Sequence, residues 1–286
     1  MNKEKNDYRL DLTLCFGRSL FVDDSLKEIE NLLQEHAPNW SEELYVWQEG
    51  TGRRSLGQNF SETVRAIASE KGEFFGQLAA THGAGPYARR TGSVELRGRD
   101  ESLIVVIGMD EYEFAPSAGR YLWGNTIAIQ VLTRKVGNVS AKQFVRSFAE
   151  DACIKTSPFY AHGHTPMERE AKNISRDDGG MMAIGLDVSR YLPGLYWLNF
   201  FGAPYCELIG NERALTAPAH EVKAVHNGIL VVVDEDPEMW CESNSKNAAV
   251  LTHLGDNLFF QRDQPRRQTV APTYGLKELP RIARFS

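Results

Sequence analysis

The sequence predicts an α+β fold, a largely antiparallel sheet with flanking helices. Three observations carry that expectation. Residues 8–16 alternate without a fault: Tyr8, Leu10, Leu12, Leu14 and Phe16 fall on one side, and Arg9, Asp11, Thr13 and Cys15 on the other. That is the period of a half-buried strand. Three stretches open with a helix-capping pattern followed by apolar residues at helical spacing. Strands and helices interleave, yet the strands pair through hairpins more than through crossovers, which favours antiparallel neighbours.

The elements follow in order. Ser25-x-x-Glu28 is a capping box, and Leu26, Ile29, Leu33 and His36 make the apolar stripe of the helix it opens, ended by Pro38. A short strand is expected at Leu44–Trp47. Asn59-x-x-Glu62 caps a second helix with Val64, Ile67, Ala68, Phe74, Phe75 and Leu78 inward, weakened in its last turns by Gly72. After a loop at His82–Pro86 the period switches to two, and Ser93–Arg97 with Leu103–Gly108 reads as a hairpin whose second strand is the deeper one. Thr126–Thr133 is a further strand. Ser140-x-x-Gln143 then opens a helix that carries Phe144, Val145, Phe148 and Ala152 inward.

Strand followed by helix thus occurs twice, which fits two similar strand-helix halves or a common pairing met twice. Ser157–Asp187, rich in Gly, His, Pro and Asp, is expected to form long surface loops with a short strand near Met182–Leu186. Leu195–Phe201 is bulky on both sides, as a central strand covered on both faces would be. Ala203–Ile209 makes a short helix ended by Gly210. His220–Val225 and Ile229–Val233 flank Asn227-Gly228, which predicts a hairpin with a type I′ turn. Asn244–Leu254 is a helix closed by Gly255. The chain reads as a single domain over 1–286, with a possible subdivision near residue 118. Residues 262–286, with Pro265, Pro272 and Pro280, read as an extended basic arm.

Composition narrows the function classes. Of 286 residues, 42% are hydrophobic and 24% charged, which leaves an ordinary globular chain and removes fibrous, disordered and disulfide-stapled classes. Cys15, Cys153, Cys206 and Cys241 are widely spaced with no C-x-x-C, so reduced thiols are expected. The first residues lack the apolar core of a signal peptide, and no run approaches a membrane span. A cytoplasmic location is the expectation, with no membrane partner. Net charge is −6 and unevenly spread: residues 204–260 carry nine acids against three bases, whereas the arm from Arg262 is +4. That balance argues against nonspecific nucleic-acid binding and suits a surface that steers toward a basic partner.

Motifs for chemistry are sparse. Gly83-Ala84-Gly85-Pro86 lacks the third glycine and the preceding strand of a dinucleotide loop. His162-x-His164, with Asp177 or Asp178 as a third group, is the best metal or hydrolytic candidate, but it lies in a polar stretch without a second spaced ligand pair. No catalytic set, metal or cofactor is therefore expected. The acidic run Asp234, Glu235, Asp236, Pro237, Glu238 leaves the strand at 229–233, and Trp240 and Glu242 come next. Its bland reading is a solvated turn. Its functional reading is a partner-binding patch, since acids steer encounter and an adjacent aromatic can anchor it.

One block is familiar. Pro193-Gly194-Leu195-Tyr196-Trp197-Leu198-Asn199-Phe200-Phe201-Gly202, then Tyr205, Glu207-Leu208-Ile209-Gly210, the hairpin at 217–233 and the Asp236-Pro237 turn follow one another in an order that resembles the C-terminal part of the bacterial type VI immunity family, found beside polymorphic or type VI-secreted toxins. The resemblance implies a cytoplasmic protein without a cofactor that binds one cognate toxin, encoded nearby, and neutralises it. Without the resemblance, the same residues read as architecture.

Overall fold

A computed structural model describes residues 9–16, 20, 24–37, 45–48, 52–55, 60–67, 88–98, 101–112, 125–177, 180–185, 191–240 and 245–263. Among these, ten strands form one sheet: β1 (Arg9–Phe16), β2 (Tyr45–Gln48), β3 (Gly52–Ser55), β4 (Ala88–Arg97), β5 (Leu103–Tyr112), β6 (Asn125–Leu132), β7 (Tyr160–His164), β10 (Leu198–Phe201), β11 (Glu221–Val225) and β12 (Gly228–Val232). The order across the sheet is β11-β12-β10-β7-β1-β6-β5-β4-β2-β3. Every pairing is antiparallel. A separate hairpin, β8 (Ile174–Asp177) with β9 (Gly180–Ala183), stands apart. The expected antiparallel α+β architecture is present.

Period-two alternation decides what each face buries. On the first face, Leu10, Leu12 and Leu14 pair across with Val131, Ile129 and Ile127, which in turn meet Leu103, Val105 and Ile107. Two helices cover this face: α1 (Ser25–His36), through Leu26, Ile29, Leu32 and Leu33, and α4 (Asn138–Thr156), through Phe144, Val145, Phe148 and Ala152. A helix at 60–67, α2, adds Phe60, Val64 and Ile67, and a single turn, α3 (Thr133–Val136), links β6 to α4. The two strand-helix units of the sequence thus lie side by side, with β1 paired to β6 and α1 packed on α4.

The second face is covered over β7, β10 and β12 only in part by apolar groups. Tyr160, Phe201, Ile229 and Val231 meet α6 (Ala203–Ile209), α7 (Asn211–Leu215) and α8 (Ser245–Leu254) there. The cluster also holds Cys15 and Cys206, and Cys15, Cys153 and Cys206 are all free and buried. Burial pushes the Cys15 thiol up to about 12 and the Cys206 thiol up to about 11, so neither is a nucleophile at neutral pH.

Several expectations need correction. β1 is not half-buried: it sits between β6 and β7, and Asp11 and Cys15 on its polar side are buried too. α1 starts at Ser25 with Asp24 as its N-cap, one residue ahead of the capping box. α4 starts at Asn138, because the chain already turns at Gly137 (φ 85), leaving Ser140 inside the first turn. The described residues of 157–187 do not form long loops. They make the fully buried β7, then α5 (Pro166–Asn173), then the β8–β9 hairpin.

The hairpin at 221–232 exists, but its turn is His226-Asn227, with His226 at φ 50; Gly228 is already paired with Val225. The central strand expected at 195–201 begins at Leu198, buried along its whole length as expected. The hairpin of β4 and β5, the helix ended by Gly210 and the helix closed by Gly255 fall where the sequence put them. Tyr8, Leu44, Asn59, Ala68–Leu78, the loop at 82–86, residue 118, Cys241, Asn244 and the arm beyond Asp263 lie outside the described residues.

Candidate functional site

The acidic run leaves β12 at the end of the second face. Val233 is still paired, its N–H donating to the Trp197 carbonyl at 2.8 Å. The Trp197 indole N–H then reaches the Asp234 carbonyl at 3.0 Å, so the exit of the run is pinned to the core. Asp236 caps a one-turn 3-10 helix, Pro237–Met239, by accepting the Glu238 N–H at 3.0 Å. The Asp234 carboxylate accepts the Glu235 N–H at 2.8 Å and lies 4.0 Å from Lys246. Two of the four acids therefore serve the backbone, as a solvated turn would require.

The same turn has a second aspect. Glu235, Asp236 and Glu238 are exposed, and Met239 is 54% exposed beside them. Trp240 is half-buried at the edge of a groove of about 750 Å³, whose apolar wall is Leu195, Leu251, Phe259 and Phe260. On the other side, Asp236 and Glu238 border a cleft of about 140 Å³ shared with Arg9, Lys142 and Thr165. Sequence position put acids and tryptophan in one patch; in the fold Trp240 lines one depression and Asp236 and Glu238 line another, so the acidic turn borders both. Glu242 lies outside the described residues.

The histidines lie on β7, next to Thr165 of the smaller cleft. His162 and His164 alternate along β7, opposite Thr13 and Asp11 of β1, and His162 also faces Asn199 of β10. Their rings stack at 5.1 Å between centroids; His162 also stacks on Tyr196 at 4.6 Å, and His164 meets the same ring tilted, at 4.9 Å. Both are buried. His164 Nδ1 lies 3.1 Å from the Thr165 carbonyl, which marks it as the protonated nitrogen. His164 Nε2 and His162 Nδ1 are buried without a hydrogen-bond partner, and Asp11 Oδ1 and Arg9 Nε share that condition although they form an ion pair at 2.7 Å. Buried orphans of this kind are rare and need a physical account.

Electrostatics at the cluster follow burial. It pushes the Asp11 carboxyl from 3.8 up to about 6, against the pull of Arg9. It pushes His162 from 6.5 down to about 3, helped by the positive charge of Arg169, and it pushes His164 well down in the same sense. Glu168, fully buried on α5, is also raised by burial while Lys172 opposes. Neutral imidazoles are therefore the resting state.

Of the catalytic alternative, the structure brings His162 and His164 together on β7. Asp177 is on β8 and Asp178 lies outside the described residues. Among the described residues, the one group whose ligand atoms come within reach of a common cation is Glu35, His36 and Asp151. Those atoms are already engaged, His36 with Asp151 at 2.8 Å and Glu35 with Lys155 at 3.0 Å. Sequence reasoning missed β7 as a buried strand. The signal was present: Tyr160, His162 and His164 alternate with Ala161 and Gly163, a period of two hidden by counting histidine as a loop residue.

No family model matches this chain. No curated protein matches it either. The solved structure of the Pseudomonas aeruginosa T6SS protein PA0821 is similar to it, with 12% identity and a TM-score of 0.48, over 95% of this chain and 81% of that one. Among the described residues, no helix is long and apolar enough to cross a membrane.

Proposed function

We propose that this chain is a binding protein that neutralises a cognate bacterial toxin by stoichiometric contact, and that it catalyses nothing itself. The observation that carries this reading is the acidic ridge Glu235–Glu238 set beside a groove edged by Trp240. Exposed acids raise the rate of encounter with a basic surface, and an adjoining apolar pocket supplies the anchor that holds it. The order of residues from Pro193 to Asp236, similar to the type VI immunity family, supports the same reading. On this reading the protein works in the cytoplasm, with a toxin partner encoded nearby, no cofactor and neither nucleic acid nor membrane as partner.

The test is co-expression of the product of the neighbouring gene with and without this protein. Protection of the cells and co-purification in a fixed ratio are expected. The triple charge reversal Glu235→Lys, Asp236→Lys, Glu238→Lys, checked for an unchanged far-UV spectrum, should abolish both. Equal killing with and without the unmodified protein would sink the proposal.

A further inference from the structure

We infer that the stack of His162, His164 and Tyr196 is a proton-operated latch: with both imidazoles neutral it seats α5 and the β8–β9 hairpin on the sheet, and protonation releases them while the rest of the sheet stays folded. The argument starts from how α5 is held. Asn173 Nδ2 donates to the carbonyls of Pro193 at 2.8 Å and Ile184 at 3.0 Å. Its Oδ1 accepts the Tyr196 hydroxyl. Lys172 joins Glu168, at 2.6 Å, to the Leu195 carbonyl. The Trp197 N–H donates to Glu168 Oε2 at 3.3 Å. Helix α5, the end of the hairpin and residues 193–197 are thus one clasped unit. That unit meets β7 through the ring of Tyr196 lying on His162 and His164.

The groups facing the imidazoles come from every neighbouring element. β1 supplies Arg9, Asp11 and Cys15. β7 itself supplies Tyr160, 5.5 Å from the His162 ring. α5 supplies Glu168, Arg169 and Lys172, the last 5.3 Å above the Tyr196 ring. β10 supplies only the neutral Asn199. Three fixed positive charges therefore stand against two carboxylates, and one carboxylate, Asp11, is protonated as the pH falls below about 6. A proton added to His162 or His164 enters a site already short of negative charge. On His164 the new N–H points from Nε2, a buried nitrogen that has no acceptor. A buried, unpaired cation of this kind is relieved by exposure to water. The central strands β7 and β1 cannot leave the sheet, so the clasped unit is the part free to move.

Hydrogen exchange on the full chain tests this. Protection factors, corrected for intrinsic rate, are measured for residues 166–184 and for β5 and β6 at pH 7.5 and pH 4.5. The latch predicts that 166–184 loses roughly tenfold or more of its protection at the lower pH while β5 and β6 keep theirs. In the His162→Asn, His164→Gln variant the pH response of 166–184 should vanish. Should that variant not fold at pH 7.5, His162→Asn alone serves and should reduce the response. Loss of protection in 166–184 together with β5 and β6, or a full response persisting in the folded variant, overturns the inference.

Discussion

Gly228 shows how a single residue can be right for a reason other than the one its neighbours suggest. Beside Asn227 it reads as the second half of a hairpin turn, yet it is the first paired residue of β12. A Cβ there would lie 2.4 Å from the Phe200 ring and 2.4 Å from the Phe201 carbonyl oxygen. What selects glycine is the close approach of β10, an overpacking problem. Gly228→Ala is expected to destabilise the protein by about 1–3 kcal/mol, the usual range for forcing atoms into a filled core, read as a lower urea midpoint at unchanged slope.

The buried titrating groups also make residue-scale predictions, and their signs differ. His162 is depressed from 6.5 to about 3, so between those values the unfolded chain binds a proton that the folded chain does not. Its contribution is whole above pH 6.5 and is lost as pH falls toward 3. Asp11 is raised from 3.8 to about 6; its contribution is whole below 3.8 and is lost as pH rises through 6. Glu168, also raised by burial, acts in the same sense as Asp11, so two histidines are opposed by two carboxyls. What isolates the imidazoles is the comparison: from pH 7.5 to 4.5 the urea midpoint should shift less toward instability in the His162→Asn, His164→Gln variant than in the parent chain.

At the scale of elements, the α1–α4 layer separates packing from charge. Phe148 is fully buried, 5.4 Å from Phe144 and 5.8 Å from the ring of His36 on α1. Phe148→Ala should cost about 3–5 kcal/mol through the cavity it leaves. Two residues earlier on α4, Arg146 pairs with Glu221 on the edge strand β11. Both are partly exposed, so Arg146→Ala should cost no more than about 1 kcal/mol. Chemical denaturation of the two variants side by side checks the contrast. Elements with a clean apolar period, such as β1, β5, β6 and α4, were legible for the same reason that they are stable. β7 was not, because its buried face is made of tyrosine and histidine rings. Their burial depends on Tyr196 and α5 arriving from elsewhere in the chain.

For the whole molecule, the acidic ridge makes association with a basic partner an electrostatic event. The on-rate for the proposed toxin should fall steeply as salt rises from low to physiological strength. The charge-reversed variant should show a slower on-rate with little salt dependence, as read by surface-immobilised kinetics. The acids of that ridge were visible in the sequence as a run. Its adjoining groove was not, because Leu195 lies far along the chain from Leu251, Phe259 and Phe260 and meets them only when α8 and the residues after it fold back over the second face.

The sequence by itself determined the fold class, the antiparallel character of the sheet, the core faces of its strands and the position of the acidic turn. Those follow from local periodicity and local charge, which need no partner to be read. Only the tertiary structure decided that β1 is covered on both faces, that His162 and His164 are buried on a central strand, and that the acidic turn borders two depressions. Each of these depends on which distant segments come to lie against a residue, and a side chain's surroundings are set by those segments and not by its neighbours in the chain.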